Sequence, residues 1–180
     1  MSLQEISRDV IPIVQAILTG LGLASVVLLW WQIRGTWKWN KVDAAFRSMD
    51  TDSFASVESD ALEAAKKLGI NLTTLVSEHD AKRIRADRDA LLKVKAFAIF
   101  LERQAVAFLS GYVDARVFAH THGRLIRGYA KTLANYISVT RLDTGDPETY
   151  VGIERAAEAL EKEFQERARN RTGDGVGNRL

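Results

Sequence analysis

The 180-residue chain has no cysteine, which excludes disulfides and thiolate metal sites. It has only two prolines, Pro12 and Pro147, so long stretches run without a helix breaker and an all-α fold is expected. Charge of one sign is also scarce: 25 Lys and Arg against 23 Asp and Glu leave a net charge of +2. A dedicated DNA-binding surface is not expected from such a balance. No alternating strand pattern and no internal repeat is present. Phosphate-cradling glycine loops are missing too, because Gly20-Leu21-Gly22 lies within an apolar run and Gly173-Asp174-Gly175 lies in the C-terminal tail. His120 and His122 stand two residues apart and point to different sides of a helix, so no metal or other cofactor is expected. A domain without such staples fits a reducing cytoplasm.

What is present is one long apolar run. From Val10 to Ile33 the chain reads VIPIVQAILTGLGLASVVLLWWQI, with no ionisable residue. At ~1.5 Å per residue a helix of that length crosses the ~30 Å hydrocarbon layer, and Pro12 falls in the first turn, where its missing N–H costs little. All four tryptophans, Trp30, Trp31, Trp37 and Trp39, lie at one end of the run, and indoles prefer the headgroup level. The expectation is a single membrane-spanning helix over 10–33, preceded by a short N-terminus, 1–9, outside the cell. Arg34, Lys38 and Lys41 follow the run, whereas Glu5 and Asp9 precede it, so the positive-inside rule places the C-terminal bulk in the cytoplasm of a bacterial inner membrane. Those cations also suit anionic headgroups. Ala16, Gly20 and Ala24 recur at every fourth position, with Gln15 and Thr19 alongside. Such a small-residue ridge lets helices approach closely, which predicts a homo-oligomer, with or without a polar path through it.

The remainder reads as an amphipathic juxtamembrane helix over 34–50, a cytoplasmic four-to-five-helix bundle over 51–171 and a disordered tail over 172–180. Phe54, Val57, Ala61, Ala65 and Leu68 mark one helix that ends at Gly69. A longer one is expected over 78–110, where Leu91, Val94, Ala98, Leu101, Ala105, Phe108 and Tyr112 keep a three-four rhythm. Phe118, His122, Leu125, Tyr129, Leu133 and Tyr136 mark a third from Asp114 to about Arg141. The last is expected to start at Asp146-Pro147-Glu148, as N-cap, N1 proline and first-turn acid.

Few residues could carry chemistry. Glu102 and Arg103 interrupt the most apolar helix without a same-helix charge partner. If the helices flanking Gly111 form an antiparallel hairpin, Glu102 faces Arg124 or His122, as a structural ion pair or as a perturbed acid–base group. Arg116 and His122 have the R-x4-6-H spacing that looks like helical HEPN ribonucleases, in which Arg stabilises a phosphate and His moves protons. Val117 departs from that pattern, where a polar residue usually follows the Arg.

The layout of a membrane helix ending in LLWWQIR, a charged helix and the block KVKAFAIFLERQAVAFLSGYVDARVF resembles a bacterial family termed domain of unknown function 4760. The residues that carry the likeness are Leu101, Glu102, Ala105, Gly111 and Asp114. It implies a membrane-anchored helical bundle and no particular activity. The plan is also similar to the membrane accessory protein of type VI-B CRISPR systems, with one membrane helix, a HEPN-like bundle and assembly into a pore. The expected function is therefore a non-enzymatic membrane protein that self-associates through its membrane helix and bundle, acting on the membrane in stress or antiviral defence. The alternatives are a membrane-tethered HEPN-like ribonuclease using Arg116 and His122, or a scaffold that holds a soluble protein partner in the cytoplasm.

Overall fold

The structure is a computed structural model that describes residues 3–48 and 51–173; within its helices the side chains of 3–14, 16, 17, 48, 51, 167, 168 and 170–173 stand outside the description. The described residues are helical, with no strand among them. The helices are α1 (Leu3–Ser48), α2 (Thr51–Lys67), α3 (Glu78–Ala86), α4 (Arg88–Leu109), α5 (Ala115–Thr121), α6 (Gly123–Thr132), α7 (Ala134–Thr144) and α8 (Val151–Gly173). Two compact units result, 1–40 and 41–180. The expected tail over 172–180 falls almost wholly outside the described residues, as does the structure of Met1 and Ser2.

The first unit is the greater part of α1. Every described residue from Leu18 to Arg34 is exposed, with Val27 at 64% and Trp31 at 72%. Its hydroxyls turn inward on the backbone: Thr19 donates to the Gln15 carbonyl at 2.8 Å, Ser25 to Leu21 at 2.8 Å and Thr36 to Gln32 at 2.9 Å. Each side-chain donor is thus satisfied one turn back along the same helix. Among the described residues no helix is long and apolar enough to cross a membrane. The apolar run begins at Val10, but most of its first turns lie outside the described side chains, and the described part meets Gln32 and Arg34 before a full span is complete.

The second unit is built around α4, which packs against α2, α3 and α8; α6 lies on α8, and α3 on α7. The three-four rhythm gives the core its buried positions: Val94, Ala98, Leu101 and Ala105 are buried, while Tyr112 at the end of the row is 68% exposed. Phe97 sits between Phe54 (6.1 Å between ring centroids) and Tyr129 (4.7 Å, edge-on). Phe118 stacks on Phe108 at 5.2 Å. Each such ring contributes roughly 1.5–3 kcal/mol through the area it buries, and edge-on pairs add about 0.5–1.5 kcal/mol. Gly69 ends α2 at φ +70°, where the Ile70 N–H reaches the Ala65 carbonyl at 3.0 Å, as expected of a glycine C-cap. Asp114 caps α5 by accepting from the N–H groups of Arg116 and Val117, both at 3.0 Å.

Three expected boundaries are corrected. The helix over 78–110 is two helices, because Asp87 leaves helical geometry (φ −90°, ψ 122°) and its side chain caps α4 at the Ala90 N–H. The helix over 114–141 is three, interrupted at His122 and Leu133; no proline marks these bends, and the buried side chain of Leu133 shows tertiary packing overriding local propensity. Asp146-Pro147-Glu148 is a turn and not a helix start. The Asp146 carboxylate accepts from the Glu148 N–H and the Thr149 hydroxyl, each at 3.0 Å, a local arrangement that competes with helix. The chain then passes through Tyr150 at φ +59° before α8 begins.

Candidate functional site

The Asp114 cap fixes the start of α5, and one turn of that helix sets Arg116 and His120 on a common face. Together with Phe46, Val117, Glu163 and Glu166 they line an open groove of about 830 Å³. Both Arg116 and His120 are exposed, and no hydrogen bond or ion pair engages either side chain among the described residues. The groove therefore offers a permanent planar cation, an imidazole ring, and two carboxylates from α8.

His122 is not part of it. Its Nε2–H donates to the Ala45 carbonyl at 3.2 Å, and its ring meets the Phe118 ring edge-on at 5.3 Å. Burial lowers its pKa, the Ala45 contact acting in the opposite sense. This histidine holds the C-terminal turns of α1 onto the bundle in its neutral form. The expected pairing of Arg116 with His122 is thus corrected: the histidine beside Arg116 is His120. Helical spacing of four, not the six of the motif, is the sequence signal that points to it.

The proposed Glu102–Arg124 pair is not formed either, nor is a Glu102–His122 contact. The chain beyond Gly111 does not return along α4 as one straight helix, and the helix that faces Glu102 is α8. The Glu102 carboxylate accepts from the Gly152 N–H at 3.0 Å and from the Ile153 N–H at 2.9 Å. These are the second and third residues of α8, the positions at which an N-cap side chain normally accepts. Tyr150, the residue just before the helix, has no carboxylate or short hydroxyl for that task, so α4 supplies the acceptor from outside. Gly152 makes room for it: a Cβ there would stand 2.6 Å from Glu102 Oε1. Arg124 stays exposed on α6. On α6 it is Arg127 that pairs across helices, with Glu161 of α8, and its guanidinium lies 4.1 Å over the Phe164 ring.

In α1, Gln15, Thr19, Gly20 and Ala24 are exposed, and a Cβ at Gly20 or Gly22 would meet nothing within 4 Å. The side chain of Ala16 lies outside the described residues. Trp30, Trp31, Trp37 and Trp39 are exposed by 58–75%, Lys38 and Lys41 are exposed, and the Arg34 guanidinium lies 5.3 Å from the Trp30 ring centroid, a cation–π pair.

Compared with protein-family models, with curated proteins and with solved structures, the chain matches none.

Proposed function

We propose that this chain is a single-pass inner-membrane protein whose α1 crosses the bilayer over 10–33, self-associates there, and presents the helical bundle to the cytoplasm, where it meets a partner. The observation that carries the reading is the row of exposed aliphatic and indole side chains from Leu18 to Trp39. So long an apolar surface left in water would drive aggregation, whereas lipid accommodates it. The back-bonded hydroxyls of Thr19 and Ser25, both within 10–33, support the same reading, since polar groups in hydrocarbon need internal partners. The open ridge of Thr19, Gly20 and Ala24 supports close contact between copies. The proposed likeness to the domain of unknown function 4760, carried by Leu101, Glu102, Ala105, Gly111 and Asp114 alone and matched by no family model, would fit an anchored bundle acting by assembly on the membrane.

The test is direct. The chain is expected to stay in the membrane pellet after alkaline carbonate, with a C-terminal tag protected from protease in spheroplasts. Release into the supernatant would overturn the anchor. Gly20→Leu is expected to abolish higher oligomers in mild detergent; an unchanged particle size would overturn the ridge.

One observation favours a second reading. Arg116 and His120 share a groove with two carboxylates, so a phosphodiester-cleaving activity would use His120 in place of His122. RNA cleavage lost on His120→Ala and kept on His122→Ala is the required result, and equal cleavage in both variants would dismiss it.

A further inference from the structure

The outer face of α4 carries a pattern that neither the anchor nor the groove uses. Leu92 (58% exposed), Ile99 (37%) and Val106 (50%) recur every seventh residue. Alternating with them on the same face stand Arg88, Lys95 and Arg103, all exposed, and among the described residues none of the three has an ion-pair partner. At 3.6 residues per turn these six side chains fall within an arc of roughly 100°, along roughly 27 Å of helix. Apolar and cationic side chains alternate turn by turn, and no carboxylate stands among them: Asp89 lies to one side, bridged to Lys93 at 3.3 Å, and Glu102 borders the other, held by the Gly152 and Ile153 N–H groups of α8. α4 is also the helix on which α2, α3 and α8 pack, so this face is backed by the core.

We infer that the outer face of α4 is a docking site for an acidic amphipathic helix of a partner protein. A seven-residue repeat of branched aliphatic side chains supplies one apolar row for a second helix to pack against, and a helix laid on it would set its carboxylates against the alternate row of Arg88, Lys95 and Arg103. Charge decides between occupants. A second copy using the same face cannot fill the role, because pairing the helices antiparallel about Ile99 puts Lys95 against Arg103, and pairing them parallel puts each cation against itself. A lipid surface fits less well, because an interfacial helix keeps its cations at the borders of a broad apolar face, whereas here they stand within a narrow one. The inference is independent of the membrane reading, since all six residues belong to the bundle.

The test uses the full-length protein in nanodiscs of neutral lipid and a labelled helical peptide of about three heptads, with Leu at a and d and Glu at e and g. A matched peptide with Lys at e and g serves as the control. Fluorescence anisotropy is expected to give at least about tenfold tighter binding of the Glu peptide, lost on Ile99→Asp. The double variant Lys95→Glu with Arg103→Glu is expected to exchange the preference, binding the Lys peptide instead. All these positions are exposed, and an unchanged circular dichroism spectrum and melting temperature verifies the fold. Equal binding of both peptides, or binding indifferent to the charge reversal, overturns the inference. So does loss of the oligomer on Ile99→Asp with no peptide bound, which assigns the face to a second copy. Stripe-dependent binding of anionic vesicles with no peptide binding assigns it to lipid.

Discussion

Replacing Glu102 tests how α8 is held. In the native chain its carboxylate satisfies two backbone donors, at 3.0 Å and 2.9 Å, on residues that are themselves buried. Hydrogen bonds to a charged group contribute about 1.5–3 kcal/mol each, and the favourable end of the α8 dipole adds about 0.3–1 kcal/mol. Glu102 retains some solvent contact, so a total near the low end, about 3 kcal/mol, is expected to be lost in Glu102→Ala. Glu102→Gln keeps one acceptor and turns an NH2 toward the other donor, so it is expected to lose about half of that. Gly152 provides the discriminating measurement. Gly152→Ala in the native background forces a Cβ to 2.6 Å from Oε1 and breaks the cap. In the Glu102→Ala background the obstruction is gone, and alanine in a helix is favoured over glycine by up to about 1 kcal/mol. The same substitution is therefore expected to be clearly destabilising in one background and neutral or stabilising in the other. Urea titration followed by circular dichroism on all four chains reads this coupling. Equal effects of Gly152→Ala in both backgrounds would refute the cap.

Three further outcomes follow from particular contacts. Gly123→Ala is expected to destabilise the bundle by about 1 kcal/mol, read in the same titration, because its Cβ would meet Phe164 Cε2 at 3.1 Å and Leu160 Cδ2 at 3.2 Å; a stabilised variant would show that the Phe164 ring yields freely. Tyr136→Phe is expected to leave the melting temperature unchanged or raise it, since among the described residues the buried hydroxyl makes no hydrogen bond of normal geometry, with the Thr140 side chain near it, and its removal relieves a poorly satisfied group; a marked loss would show that the Thr140 contact holds that hydroxyl. His122, held below its ordinary pKa by burial, is neutral in both states well above 6.5. As pH falls below that value the unfolded chain takes up the proton first, so stability is expected to drop until the lowered folded value is passed. The fall in melting temperature from neutral to mildly acidic pH should be smaller in His122→Gln, whereas identical slopes would exclude this histidine.

The buried rows of the bundle were legible because a three-four rhythm is a statement about one face of one helix. Val94, Ala98, Leu101 and Ala105 on α4 and Ala61 and Ala65 on α2 follow from it directly. The bends at Asp87, His122 and Leu133 were not, since none has proline: Asp87 breaks the helix by capping the next one with its own side chain, and Leu133 is fixed by burial. Glu102 illustrates the limit for polar residues. That it needed a partner was readable from its apolar surroundings, but its partners are backbone N–H groups fifty residues away, which carry no letter of their own. A search for opposite charges turned instead to Arg124. The groove shows the same limit from the other side: Arg116 was singled out, and a motif spacing drew attention to His122, whereas the turn of α5 brings His120 beside it.

Capping α8 from α4 has a consequence for the order in which the protein is made. The acceptor is synthesised first, and the separation of 50 residues between Glu102 and Gly152 corresponds to roughly 3–10 s of translation at ordinary rates. During that interval the side of α4 destined for α8 waits uncovered, beside a carboxylate with nothing to hold. The bundle closes only when its last helix arrives. A ribosome stalled before α8 would therefore hold a nascent chain whose central helix is open to chaperones.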